Sequence, residues 1–204
     1  VVLTISSELS GTYQSAVLAW KYWEKQKNIT RVITAVGEMH APALVGLCEV
    51  ENDSVIDDLT RRSPLRQQDY DFIVTDSPDE RGINVALLYQ RHQFNLIAHQ
   101  EYEVVFRRKH ARPTRNILHA TGRVINGDTI DVFVCHPPSR YGGQLETEPL
   151  REDVAALLRS KVDSLFQVRT KTNVLIMGDF NDYPDNKSVF KTLKARSLNY
   201  HRSD

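Results

Sequence analysis

Four consecutive stretches of β-strand character occupy the middle of the chain, and they constrain the fold more than any other part of the sequence. Each is rich in β-branched and aromatic residues, and together they cover Ile83 to Tyr89, Phe94 to Val105, Asn116 to Ile125 and Thr129 to Val134. The last two are joined by Asn126-Gly127-Asp128, which predicts a hairpin turn because asparagine and glycine tolerate positive φ.

Further strands and helices are predicted on both sides of this region. Ala43 to Val50 and Asn173 to Met177 are nearly continuous apolar runs, typical of strands covered on both faces, and Tyr70 to Thr75 predicts another strand. Helical spacing of apolar residues predicts helices from Thr12 to about Val36 and from Thr147 to Val168. Mixed β structure with helices before and after predicts a layered α/β sandwich, with two mixed β-sheets packed together and helices outside.

The composition indicates one soluble domain. The chain has 204 residues, 41% of them hydrophobic and 25% charged, so we expect a single domain over residues 1–204. Its 26 basic and 26 acidic residues cancel, so any basic surface must be local. The sequence contains no P-loop, no dinucleotide fingerprint and no paired zinc-ligand spacing. No apolar run is long enough to span a bilayer, which favours the cytoplasm, while a secreted or periplasmic location would fit removal of a signal peptide.

Isolated polar residues stand where several predicted strands end. Glu49 ends one apolar run, His136 ends another, and Asp179 and Asn181 follow the strand that precedes Gly178. If strand geometry persists, Asp179 and Asn181 project to the same side. A single acid at a strand end is usually structural, and a lone histidine is usually a satisfied hydrogen-bonding residue. Together, however, these residues are expected to converge at one sheet edge, where a carboxylate beside an amide suits a metal-held phosphate ester.

Local basic charge lies between Arg107 and Arg115. A solvated loop is the simplest interpretation, but Arg115 stands at the entrance to a strand, where its planar guanidinium fits phosphate oxygens. His136 stands beside the segment that carries Arg140, and both are candidates for phosphate contact. No interleaving of aromatic and basic residues along the sequence marks a single-strand nucleic-acid surface.

These residues together resemble the endonuclease/exonuclease/phosphatase superfamily, which includes DNase I-like nucleases and lipid or inositol phosphatases. The resemblance runs from about Tyr22 to Leu198. It looks most like the bacterial stand-alone members and implies a DNase I-like fold. The motifs that carry it occur in family order at Gly46 to Asn52, Asn84 to Tyr89, Arg112 to Arg115, Cys135 to Arg140 and Gly178 to Asn181.

The resemblance also implies a reaction and a set of roles. Glu49 would bind a divalent cation, Mg²⁺ or Mn²⁺, Asp179 would orient or activate the attacking water, and Asn181 would hold a phosphate oxygen. His136 and Arg115 would grip the phosphate, and Asn84 and Arg140 complete the substrate-binding candidates. The reaction would be in-line hydrolysis of a phosphodiester or phosphomonoester. Nucleic acids, nucleotides, phospholipid head groups and inositol phosphates all contain such a phosphate ester, so the substrate is not identified by these residues.

The two ends of the sequence depart from the family pattern. The family's first strand with its asparagine and the terminal Ser-Asp-His motif are not found, so we expect a fold that is incomplete at both ends. Residues 1–16 instead resemble a segment of DegV-type fatty-acid-binding proteins, and residues 1–20 are treated as an atypical N-terminal segment. The alternative to an active enzyme is therefore an inactive fragment, or a phosphate-binding or interaction module.

Overall fold

The computed structural model describes residues 2–5, 15–18, 32–33 and 35–195. Within these residues nine strands form two β-sheets. The strands are β1 Val2–Ile5, β2 Ser15–Leu18, β3 Leu44–Val50, β4 Tyr70–Val74, β5 Asn84–Gln90, β6 Phe94–Tyr102, β7 Ile117–Val124, β8 Thr129–Cys135 and β9 Val174–Gly178.

Both sheets mix parallel and antiparallel neighbours. The larger sheet has the order β1-β9-β8-β7-β6, in which β9 runs parallel to β1 and β8 while β7 and β6 alternate in direction. The smaller sheet has the order β2-β3-β5-β4, with β2 parallel to β3 and β5 antiparallel to both β3 and β4. The predicted pair of mixed sheets is confirmed.

The inner faces of the two sheets form one apolar core. Alternate residues of each strand point into it, which follows from the two-residue period of β structure. The smaller sheet contributes Leu44, Cys48, Ile73, Val85, Leu87 and Tyr89, and the larger sheet contributes Phe94, Leu118, Ala120, Val132, Val134, Leu175 and Met177.

Helices cover the two outer faces. Helix α1, Asp53–Asp57, continues into a π-helical turn at Asp58–Arg62 and a 3₁₀ turn at Pro64–Gln68 over the smaller sheet. Helix α2, Gln144–Val168, and a π-helical segment at Ser188–Leu193 pack on the larger sheet. The molecule thus has four layers, and the layered α/β sandwich predicted from the sequence is confirmed. None of the helices in the described ranges has the length and apolar character needed to cross a membrane.

The N-terminal region differs from the sequence prediction. The helix predicted from Thr12 to Val36 is wrong at Ser15–Leu18, which forms β2 against β3. Residues 32–33 and 35–38 are helical, and residues 12–14, 19–31 and 34 of that prediction lie outside the described residues. The atypical N-terminal segment also supplies β1, which pairs with β9 and carries no asparagine.

The directions of the strands bring strand ends from both sheets to the same end of the sandwich. In the larger sheet, β8 and β9 end there at Cys135 and Gly178, which are register partners. In the smaller sheet, Val50 at the end of β3 pairs with Asn84 at the start of β5. The polar residues that follow or precede these positions are therefore collected at one end of the molecule.

Candidate active site

Glu49 lies in a β-bulge at the end of β3. The register with β5 shifts between Cys48 and Val50, and Glu49 has a φ of 60°. A bulge redirects a side chain away from the regular alternation, and a non-glycine residue at positive φ is uncommon. The backbone therefore aims Glu49 differently from its neighbours on the strand.

Asn84 supports the segment around this bulge. Its Nδ2 donates to the Glu51 carbonyl at 3.3 Å, and its Oδ1 accepts the Ser77 backbone amide at 2.8 Å. Both ends of the amide are thus engaged within the protein. The predicted substrate contact by Asn84 remains a prediction, and the observed contacts give it a role in holding the loop beside Glu49.

Gly178 shapes the turn that carries Asp179 and Asn181. It has a φ of 146°, and a Cβ there would lie 1.8 Å from the Cys135 carbonyl oxygen. Strand geometry stops at this glycine, so the extended tip expected from the sequence is not formed. Instead the Asn181 backbone amide donates to Asp179 Oδ1 at 3.0 Å, and Asn181 has a φ of 52°. A local side-chain turn, rather than strand alternation, brings the two residues together.

His136 and Arg115 are buried beside this turn. His136 is 5% exposed and Arg115 is 4% exposed. The Pro137 carbonyl accepts from Arg115 Nη2 at 2.8 Å and from Asn181 Nδ2 at 3.0 Å. That one carbonyl links the ends of β8 and β9 to the start of β7.

Asp79 neutralises part of the buried Arg115 charge. Arg115 Nη1 donates to Asp79 Oδ2 at 3.0 Å, and the side chains are 3% and 5% exposed. Burial alone would raise the pKa of Asp79, but hydrogen bonds from Arg81 and Arg115 outweigh it and hold the pKa below its ordinary value. Burial lowers the pKa of Arg115, opposed by its bond to Asp79.

Burial keeps His136 neutral. Desolvation, reinforced by the charges of Arg115 and Arg81, lowers its pKa well below the ordinary value of 6.5. Its Nδ1 atom is buried without a hydrogen-bond partner among the described residues. A neutral imidazole carries one donor and one acceptor nitrogen, so one nitrogen of this buried ring makes no hydrogen bond within the described residues.

The depressed pKa of His136 predicts a pH dependence of stability. Its folded pKa lies below its unfolded value, so between the two the unfolded state binds more protons. We expect the free energy of unfolding to fall as the pH drops from about 6.5. Urea titrations between neutral and mildly acidic pH should show a shallower decline in His136→Asn. An identical decline in both proteins would contradict this assignment.

Cys48 lies between the two sheets at the centre of the site. Its Sγ approaches the Cys135 carbonyl at 3.9 Å. Burial raises the pKa of its thiol to about 12, while the backbone amide of Asp179 opposes that rise and the charges of Asp179, Arg115 and Glu49 also act on it. Cys48 is therefore an inert, buried residue, close enough to Glu49, Asp179 and Arg115 for their charges to act on its thiol.

Gly46 permits the close approach of the sheets near Cys48. A Cβ at this position would lie 2.6 Å from Met177 Sδ and 3.4 Å from Val134 Cγ1. Gly46 is three residues before Glu49, and Met177 is two residues before Asp179. The contact thus brings the strand ends that carry these two carboxylates close together.

Arg140 holds the loop after Asn181. Its Nε donates to the Asn181 carbonyl at 2.8 Å, and its Nη2 donates to Asn186 Oδ1 at 2.6 Å and Asp182 Oδ1 at 3.1 Å. The predicted phosphate contact by Arg140 remains a prediction, whereas these bonds assign it a positioning role. The guanidinium also lies 4.8 Å from the centre of the Tyr183 ring.

Arg151 and Asp182 are partners in that network that the sequence did not single out. Arg151 Nε lies 2.8 Å from Asp182 Oδ2, at ion-pair distance but without the alignment of a hydrogen bond, and both side chains are 1% exposed. Ser188 Oγ donates to the same carboxylate at 2.5 Å. The sequence does hold one indication for Asp182, because this residue directly follows the candidate residue Asn181. Nothing in the residue spacing of α2 distinguishes Arg151 from exposed charged residues of the same helix, such as Glu146.

The donor chemistry of the site fits a hard divalent cation. No group of three or more His, Cys, Asp or Glu side chains within the described residues is arranged to hold a metal ion. Mg²⁺, however, is usually bound through only one or two protein carboxylates, with waters and substrate phosphates completing its shell. Glu49 and Asp179 supply carboxylates of that kind.

Comparisons with known proteins agree with this architecture. A sequence model described as the Endonuclease/Exonuclease/phosphatase family matches residues 7–203. The fold resembles the human Nocturnin catalytic domain with bound sulfate, at a TM-score of 0.64 and 17% identity, covering 82% of this chain and 61% of that one. It also resembles the mannosyl-6-phosphatase of Bacteroides thetaiotaomicron, at 0.63 and 17% identity, covering 83% and 62%.

A third similar structure is D. rerio TDP2 complexed with a single-strand DNA product. The TM-score is 0.61 with 14% identity, and the match covers 86% of this chain and 63% of that one. The chain thus spans less than two thirds of each of these three structures. A separate match of 38% identity over 72 residues joins it to a fatty acid-binding protein of Thermotoga maritima, covering 35% of this chain and 25% of that protein. This partial match agrees with the local resemblance of the N-terminal segment.

Proposed function

Since the chain belongs to the endonuclease/exonuclease/phosphatase family, we propose that it hydrolyses a phosphate ester by in-line attack of water at a metal-assisted site. The observation that supports this most is the convergence of Glu49 and Asp179, from two different sheets, around Cys48 and beside buried Arg115. Such a grouping of carboxylates and a guanidinium provides both the polar groups for a metal ion and positive charge for a phosphate.

Glu49 is the residue that we assign to Mg²⁺ or Mn²⁺, with Asp179 the nearest second carboxylate in the fold. When bound, the ion would polarise phosphoryl oxygens and offset the negative charge of the transition state. The bulge at Glu49 fixes the direction of its side chain in advance, which reduces the ordering cost of binding.

The remaining residues would position water and phosphate. Asp179 would orient the attacking water and accept its proton, with its carboxylate held by the Asn181 amide. Asn181 uses one amide proton on the Pro137 carbonyl, and its second would contact a phosphate oxygen. Neutral His136 would donate an N–H to another oxygen. Buried Arg115 would act through its positive charge and by fixing the Pro137 carbonyl that Asn181 shares.

Assays with different substrates would distinguish a phosphomonoesterase from a phosphodiesterase. Among proteins of similar fold, one is named a mannosyl-6-phosphatase and another was solved with a DNA product, so monoesters and diesters are both candidates. The test is release of p-nitrophenol from p-nitrophenyl phosphate and from bis-p-nitrophenyl phosphate in the presence of Mg²⁺ or Mn²⁺. Turnover of either ester supports hydrolysis and identifies its class, and folded protein that turns over neither would count against it.

Removing the Glu49 carboxylate should weaken metal binding. In Glu49→Gln we expect the affinity for Mn²⁺, measured by isothermal calorimetry without substrate, to fall by about 10- to 100-fold. Glu38→Gln, on an exposed part of the chain, is the matched control and should bind as the unaltered protein does. Equal affinities in Glu49→Gln and the control would remove Glu49 from the metal site.

The second candidate function is phosphate binding without turnover. It is favoured by the buried guanidinium of Arg115, whose positive charge would attract a phosphate without a metal ion. This alternative predicts that inorganic phosphate binds in calorimetry while both nitrophenyl esters stay intact.

A further inference from the structure

A basic cleft opens beside the proposed active site. It has a volume of about 630 Å³, and one wall is the loop between β6 and β7 while the other is the segment that follows His136. Arg115 lines the cleft and also donates to the Pro137 carbonyl, and Pro138 and Ser139 form part of the opposite wall. The cleft is therefore continuous with the residues assigned to the phosphate.

The lining of the cleft is positive although the chain as a whole carries no net charge. Five cationic side chains and two carboxylates line it, an excess of three positive charges. Arg108 and Lys109 are exposed, and Lys109 has no ion-pair partner among the described residues. A net positive charge spread along a groove suits a ligand with several negative charges, because each exposed cation can meet a separate anionic group.

One aromatic side chain completes the cleft. Tyr141 lines it and is 94% exposed, the highest value among the large hydrophobic side chains of the described residues. It follows Arg140, which donates to the Asn181 carbonyl, so the backbone at Tyr141 is tied to the turn that carries Asp179 and Asn181. The fold thus brings an aromatic ring to a basic loop about thirty residues away in sequence, which linear interleaving would not reveal.

From this arrangement we propose that the cleft binds a single-stranded nucleic-acid segment adjoining the scissile phosphate, with phosphates on Arg108 and Lys109 and a base on Tyr141. The proposal rests on the proposed function for the meaning of the scissile phosphate. A groove of cations with a stacking aromatic suits unpaired bases, because every base has a ring face to stack and duplex bases do not expose theirs. Acidic peptides and anionic head groups lack that face.

Binding is tested without turnover, in EDTA, by fluorescence anisotropy of a labelled oligonucleotide of about twelve unpaired nucleotides. We expect Arg108→Gln/Lys109→Gln to weaken binding about tenfold and to reduce the slope of log affinity against log salt by about 1.4, the value for two lost phosphate contacts. We expect Tyr141→Ala to weaken binding at least about fivefold and Tyr141→Phe to keep it, because stacking needs only the ring.

The matched control is Arg66→Gln/Arg123→Gln, which removes two exposed cations that lie outside the cleft. It should bind as the unaltered protein does. Three outcomes would overturn the proposal: equal loss in this control, full binding by Tyr141→Ala, or a duplex of the same sequence bound as tightly as the single strand. Because the measurement excludes metal and turnover, inactivity toward nitrophenyl esters leaves its result unaffected.

Discussion

Asp179→Ala is expected to lower kcat for phosphate-ester hydrolysis by about 10²- to 10⁴-fold, the usual contribution of a positioned acid–base group. The carboxylate lies at the end of β9 and accepts the Asn181 amide at 3.0 Å, so its orientation is fixed before substrate arrives. Its removal would take away both the proposed proton acceptor and the hydrogen bond that shapes the turn. The measurement is steady-state turnover of the nitrophenyl ester that the protein prefers.

Two further variants distinguish the chemical role of the Asp179 carboxylate from its structural role in the turn. Asp179→Asn retains an oxygen that can accept the Asn181 amide but lacks the charge, and we expect it to be nearly as inactive as the alanine variant. Asp185→Ala removes an exposed carboxylate from the same loop and should retain full turnover. If Asp179→Ala kept the rate of Asp185→Ala, Asp179 would have no part in the reaction.

Asp182→Ala is expected to lower the free energy of unfolding by about 3–5 kcal/mol, because it leaves a buried arginine without its counter-charge. The Asp182 and Arg151 side chains are each 1% exposed, so water does not reach the guanidinium in the folded protein to replace the lost charge. Ser188 and Arg140 would lose the same acceptor. Urea titration followed by circular dichroism measures the change.

The control is an ion pair of similar chemistry at the surface. Arg159 and Asp163 pair along helix α2, with side chains 23% and 47% exposed, and Asp163→Ala should cost less than about 1 kcal/mol. If Asp163→Ala and Asp182→Ala lowered the free energy of unfolding by similar amounts, burial would not explain the contribution of the Arg151–Asp182 pair to stability. Because Asp182 adjoins Asn181, we also expect Asp182→Ala to lose turnover at temperatures where it remains folded.

The strands that position the site were predictable because their apolar runs are long. Leu44–Val50 and Val174–Gly178 are almost continuously buried, so both their type and their ends could be inferred from residue character alone. Strand direction then brings Glu49 and Asp179 to one end of the sandwich. The short strand Ser15–Leu18 was not predictable, since four residues carry little periodicity and its partner, β3, is distant in sequence.

The environments of the charged residues depended on tertiary structure. Arginine and aspartate are mostly exposed, so the sequence offered no reason to expect Arg115, Arg151 or Asp182 inside the protein. The turn at Gly178 likewise depends on the nearby Cys135 carbonyl, which only the β8–β9 pairing reveals. The placement of Tyr141 beside the basic loop has the same origin.

The most direct test of metal-assisted hydrolysis is a titration of bis-p-nitrophenyl phosphate turnover with Mn²⁺, from EDTA-treated protein to saturation, in the unaltered chain and in Glu49→Gln. A site built around Glu49 predicts no turnover in EDTA, saturable activation by Mn²⁺, and a midpoint displaced to higher Mn²⁺ concentration in the variant. Turnover that is equal in EDTA and in Mn²⁺, or activation with the same midpoint in both proteins, would contradict it.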